Sequence, residues 1–191
     1  RNSFFIGIIA TLLATALGTV AALGLSRPHM PFKAVLMAIL ISPMIVPLII
    51  TAAGMFFFYS KMGLTHTYLG LILAHTALGT PFVVITVTAT LTGFDTNLIR
   101  ASQSLGADTM RTFFKVIMPL ILPGVISGGL FAFITSFDEV VIVMFVGSVE
   151  QITIPKQMWA GLRQETSPVI LCMATCLVAL SIALLTTVEM L

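Results

Sequence analysis

Five long apolar runs, separated by short connections that hold most of the charges, leave this chain few folds to choose from. The runs are residues 4–25, 34–58, 69–91, 120–146 and the slightly shorter 168–188. A helix needs about 20 apolar residues to cross the hydrocarbon core of a bilayer, and all five runs meet that length. Only 8% of the 191 residues are charged and 58% are hydrophobic, against roughly 25% charged in an ordinary soluble domain. So few charges cannot cover a water-facing globule, so lipid is the expected solvent. Backbone groups in lipid must be satisfied within their own segment, which makes each run a helix rather than an isolated strand. A net charge of +2 gives no reason to expect nucleic acid as a partner.

The connections define two faces. Residues 26–33 carry Arg27, His29 and Lys33, with Pro28 and Pro31 to break the helix, and residues 59–68 carry Lys61 and a turn glycine, Gly63. Residues 92–119 are polar, and residues 147–167 mix Glu150, Lys156, Trp159, Arg163 and Glu165 with apolar positions. Alternation puts 26–33 and 92–119 on one face, with Arg27, Lys33, Arg100, Arg111 and Lys115; Arg1, Lys61, Lys156 and Arg163 fall on the other. That slight excess favours the first face as cytoplasmic. Residues 4–25 are too long for a signal-peptide core and lack a small-residue cleavage site. The start at Arg1 therefore reads as a piece of a longer protein with a sixth span ahead of it. Pro43 and Pro47, and Gly79-Thr80-Pro81, are expected to interrupt their spans, either lining a pathway or kinking for packing. Cys172 and Cys176, one turn apart without a nearby histidine, read as packing residues rather than a metal pair.

The polar segment 92–119 reads as two short helices around a glycine. Asp95 or Thr96 caps the first, which runs to about Leu105. Gly106 suits the left-handed position that ends a helix. Asp108 caps a second helix carrying Met110, Phe113, Phe114 and Ile117 on one apolar face, with Arg111 and Lys115 on another. Pro119 is expected to break it before the next span. The result is a compact knob on the membrane surface, or alternatively a helix pair lying flat on lipid.

Asp138 and Glu139 fall inside the run 120–146. An ionised Asp near the bilayer centre costs roughly 2.5–3.5 kcal/mol, so such groups face the protein interior or a water-filled path. Successive helical residues point about 100° apart, so one faces a path while the other meets a partner subunit or caps a local break. A purely structural pair, satisfied by Ser136 or Thr135 or by a partner's arginine, remains the alternative. His75 is either a gate or a hydrogen-bonded packing histidine. No His-Glu-x-x-His, Gly-x-Ser-x-Gly or phosphate-cradling glycine loop with lysine is present. An intramembrane enzyme is thereby disfavoured.

The segment Arg100-Ala101-Ser102, Gly106-Ala107-Asp108, Phe113, Pro119, Pro123-Gly124 resembles the "EAA" coupling loop of bacterial ABC importer permeases. Ala101 and Gly106 match the family; Arg100 stands for its Glu and Ser102 for its second Ala. Ser136-Phe137-Asp138-Glu139, Thr153-Ile154-Pro155, Trp159, Leu162-Arg163 and Ser167-Pro168 are similar to the spermidine/putrescine branch. The resemblance implies an all-α transmembrane bundle of the MetI-like type, a single domain over residues 1–191 with a cytoplasmic coupling loop at 92–119. It implies that Arg100, Ala101, Ser102, Gly106, Ala107, Asp108 and Phe113 engage an ATPase. It makes Ser136, Asp138 and Glu139 the pathway for a polyamine or other small organic cation; an opine, an amino-acid derivative or a metal chelate are the other solutes it admits. This chain would hold no catalytic site, metal or cofactor, since ATP and Mg belong to the partner ATPase. The implied partners are two ATP-binding subunits, a second and related permease forming a heterodimer, and a periplasmic or extracellular substrate-binding protein. The implied location is the bacterial inner membrane, spanned several times. A channel or assembly scaffold would leave the loop unexplained.

Overall fold

The computed structural model describes residues 1–27, 30–164 and 168–189; Pro28, His29, Glu165 and Ser167 lie outside them. The described residues form helices and no strands. In chain order these are α1 (Asn2–Leu25), α2 (Lys33–Ile45), α3 (Leu48–Met62), α4 (Tyr68–Thr92), α5 (Asn97–Ser104), α6 (Thr109–Thr112), a π-turn (Phe113–Ile117), α7 (Met118–Asp138), α8 (Val141–Val146), α9 (Ile154–Gln164) and α10 (Pro168–Glu189).

The all-α expectation holds, but the expected spans are not all unbroken helices. Three unbroken helical stretches are long and apolar enough to cross a membrane: Asn2–Leu25, Tyr68–Thr92 and Thr109–Asp138. The α2–α3 pair counts as a fourth only as a broken span, bent by 105°. Pro47 is the cause. It has no N–H to continue α2, and its ring pushes Val46 into an extended conformation (ψ 132°). Helix α10 runs for 22 residues, Pro168–Glu189. The run 120–146 is also divided: α7 stops at Asp138, Glu139 is extended (ψ 123°), and α8 begins at Val141.

Two other expectations fail for physical reasons. Gly79-Thr80-Pro81 does not interrupt α4, which is continuous from Tyr68 to Thr92. Pro119 does not end the second short helix. It sits in the first turn of α7, where a missing N–H costs least. The π-turn just before it, closed by the Met118 N–H on the Phe113 carbonyl, carries the helix through without a break.

The core is α1, α4 and α7. Small residues set how closely their axes approach, the usual device where lipid supplies no hydrophobic drive between helices. A Cβ placed on Gly18 would lie 2.6 Å from Val83 Cβ, and one on Gly79 would meet Ala132 and Ala14 at 3.0 and 3.3 Å. A Cβ on Gly128 would lie 2.7 Å from the Val83 Cα. These pairings make α1 and α4 parallel, and α4 and α7 antiparallel.

The two ends of the bundle differ as the alternation of faces predicts. At one end the last turns of α1 and α4 meet α5 and α6. At the other, hydrogen bonds stitch distant loops together. Asn2 Nδ2 donates to the carbonyls of Glu150 (2.9 Å) and Ile152 (3.1 Å), Gln151 Nε2 donates to the His66 carbonyl (2.9 Å), and the Ile154 N–H donates to Ser3 Oγ (2.8 Å). Lys156 Nζ donates to the carbonyls of Val143 and Ser148, both at 3.2 Å, and burial holds its ammonium below the usual lysine range.

Candidate functional site

The knob is built by local chemistry. Asp95 Oδ1 accepts the Asn97 N–H (2.9 Å) at the start of α5, so Asp95 rather than Thr96 supplies the side-chain cap. Gly106 adopts φ 83°, a left-handed conformation that costs a non-glycine residue about 1–2 kcal/mol. Around it the Gly106 N–H bonds to the Gln103 carbonyl (2.9 Å) and the Ala107 N–H to the Ser102 carbonyl (3.1 Å). Asp108 Oδ1 then accepts the Arg111 N–H (2.7 Å), capping α6. Ser102 Oγ and Thr112 Oγ1, 2.9 Å apart, tie the two halves of the knob together.

These bonds sort the predicted contact residues. Arg100, Ala101, Gly106 and Asp108 are exposed, and Leu105 at the tip is 89% exposed. Ser102, Ala107 and Phe113 are half-buried. The first two brace the knob, while Phe113 turns inward to a cleft beneath it. The expected single apolar face of the second helix divides. Phe113 and Ile117 line that cleft, whereas Met110 and Phe114 are exposed.

At the far end of α7 the three predicted pathway residues have three different fates. Ser136 is buried against α4, with its Oγ 2.8 Å from His75 Nδ1. His75 is buried, and this bond joins two helices, with Nε2 unpartnered among the described residues. Glu139 is buried, and its Oε1 accepts the Ile142 N–H at 2.9 Å. It caps α8, with its carboxyl group at the start of that helix. Asp138 is exposed. It stands on the last residue of α7, where unsatisfied carbonyls give the helix end a partial negative charge. That pairing repels anions and attracts cations.

The capping role of Glu139 has a measurable consequence. Glu139→Leu leaves the Ile142 N–H without its acceptor and should cost about 1–2 kcal/mol of stability. Glu139→Gln keeps an acceptor oxygen and should cost less than half as much. Thermal unfolding of the detergent-solubilised protein reads both. Equal losses in the two variants would show that charge, rather than the hydrogen bond, matters there.

Sequence reasoning missed the His75–Ser136 bond, the π-turn and the cleft beneath the knob. Only the second left a trace, in Pro119 lying close behind a helical apolar pattern.

Comparison with known proteins agrees with this architecture. The chain is 32% identical over 183 residues to the spermidine/putrescine transport system permease protein PotC of Haemophilus influenzae, covering 96% of this chain and 71% of that protein. It is 28% identical to PotC of Escherichia coli K12, covering 96% and 70%. It is 30% identical to the putrescine transport system permease protein PotI of the same strain, covering 91% and 64%. Among solved structures, inward-facing MetNI methionine ABC transporter matches with a TM-score of 0.79 at 19% identity, over 98% of this chain and 90% of that one. An amino acid ABC transporter crystallised with histidines matches with a TM-score of 0.70 at 16% identity, over 98% and 88%. These two likenesses establish the fold. Residues 14–191 match the family described as binding-protein-dependent transport system inner membrane component, and the chain belongs to that family.

Proposed function

We propose that this chain is one permease subunit of an ATP-driven importer for a polyamine or similar small organic cation, in the inner membrane of a bacterium. It forms half of the pathway and engages a separate ATPase through residues 95–119. The observation that carries the reading is the exposed, internally braced knob at one end of a helix whose other end presents Asp138. One element thus joins a surface a soluble motor can grip to a group that attracts a cation. The names of the PotC and PotI relatives support the polyamine class. The partners are two ATP-binding subunits that hold ATP and Mg, a second related permease, and a substrate-binding protein on the outer face. The chain itself does no chemistry. Its work is to let those partners shift the balance between conformations, each binding one conformation more tightly than the other.

The test is ATP hydrolysis by the assembled complex in nanodiscs, with its binding protein, across a panel of solutes. Putrescine or spermidine should stimulate turnover several-fold. Stimulation by a neutral or anionic solute alone would overturn the cation assignment. Failure of any ATPase subunit to copurify would overturn the importer reading.

A further inference from the structure

The knob has an underside. Helix α5 points Arg100, Ala101 and Ser104 outward, while Ile99 and Gln103 face a cleft between the knob and the ends of the spans. The cleft holds ≈ 420 Å³, within the roughly 300–1,000 Å³ typical of small-molecule sites. Leu23, Leu91, Phe94, Ile99, Phe113 and Ile117 make its apolar walls. Ser26 and Arg27, at the end of α1, stand at the same cleft, and among the described residues no Asp or Glu lines it. We propose that this cleft binds an anionic amphiphile, a phospholipid of the adjoining leaflet, with its head at Arg27 and an acyl chain along the apolar walls.

Three features favour that occupant. The cleft lies where α1 and α4 leave their apolar runs, so acyl chains are next to it and water gains little from its walls. Among the described residues its one charged lining group is a guanidinium, which suits phosphate by geometry as well as by charge. Basic residues facing the leaflet attract anionic lipid in general, and Arg100, Arg111 and Lys115 stand on the same end of the bundle. The consequence is mechanical. Both halves of the knob and two span ends line the cleft, so an occupant braces the knob against the bundle from behind, leaving its outer face free.

Occupancy is a property of this chain alone, whereas its effect on ATP turnover rests on the importer reading; the two are therefore measured separately. The complete complex is placed in nanodiscs of phosphatidylcholine, with or without phosphatidylglycerol, and examined by native mass spectrometry and by stimulated ATPase activity. Phosphatidylglycerol should be retained on the complex and raise turnover several-fold. Leu23→Trp, which fills the cleft, should abolish retention. Arg27→Gln should weaken it about tenfold and leave activity in phosphatidylcholine unchanged. Oleate displacing phosphatidylglycerol would keep the chemistry and assign the site to a free fatty acid. Retention undiminished in both variants, equal retention of phosphatidylcholine, or protection by soluble glycerol phosphate alone would each overturn the proposal. So would altered ATPase affinity of Leu23→Trp without anionic lipid, which would give the cleft to a protein partner. Lost retention with unchanged ATPase stimulation would overturn the bracing role alone.

Discussion

Replacing Gly128 with valine is expected to stop the α1–α4–α7 core from assembling. Any Cβ at this position lies 2.7 Å from the Val83 Cα, and backbone cannot swing aside as a flexible side chain can. Valine adds two further methyl groups in the same direction. Overpacking costs roughly 1–3 kcal/mol even where neighbours adapt; here two helices must move apart, so the cost should reach or exceed the top of that range. Separation would also strain the His75–Ser136 bond two turns along the same interface. The comparison is Gly54→Val on α3, where nothing lies within 4 Å of the added Cβ. Thermal unfolding and size-exclusion yield of the solubilised protein should collapse for the first variant and hardly change for the second. Equal behaviour would mean that α4 and α7 are not packed this closely.

Asp138→Asn should raise the half-saturating concentration of polyamine for transport by about tenfold or more, the equivalent of roughly 1.4 kcal/mol. The side chain is exposed, so its change should leave stability nearly intact and act on the solute. The loss should be greater for a triamine than for a diamine, because attraction scales with the charge on the solute. Asp138→Glu should restore most of the activity. Glu139→Gln should lack this charge-graded signature, since its carboxylate is buried in a cap. Uptake into proteoliposomes at several ionic strengths reads these differences. If Asp138→Asn transported both solutes with unchanged affinity, the cation path would have to run elsewhere.

How much of this was legible beforehand depended on whether the cause was local. Asp108 sits three residues before the N–H it caps, and Gly106 lies between two helix signals, so both roles can be read from neighbours in sequence. The prolines show where that stops. Pro47 and Pro81 carry the same chemistry, yet the first ends a helix and the second lies within one. Pro47 is exposed, while Pro81 is buried in the helix that packs against both α1 and α7, which hold α4 straight. Nothing in the residues beside each proline distinguishes the two. The run 120–146 hid its break for a related reason. Val141–Val146 is as apolar as α7 before it, and hydropathy records what a segment is dissolved in rather than which way it points. The His75–Ser136 bond joins residues 61 apart and exists only once two helices have found their register. The family resemblance singled out the residues of the 92–119 loop, but their division into outward and inward faces was not legible.

The absence of a break at Pro119 changes how force travels. From Thr109 to Asp138 the chain is one helical rod of 30 residues, about 45 Å long. A pull on the knob would reach the acidic tip along one continuous helix. If the rod pivots near its base, a tilt of roughly 5° carries the tip about 4 Å, comparable to the width of a hydrated path closing on a small solute. On the importer reading proposed above, the helix would act as a gear: a small, strong stroke at one membrane surface would become a larger, weaker excursion at the other.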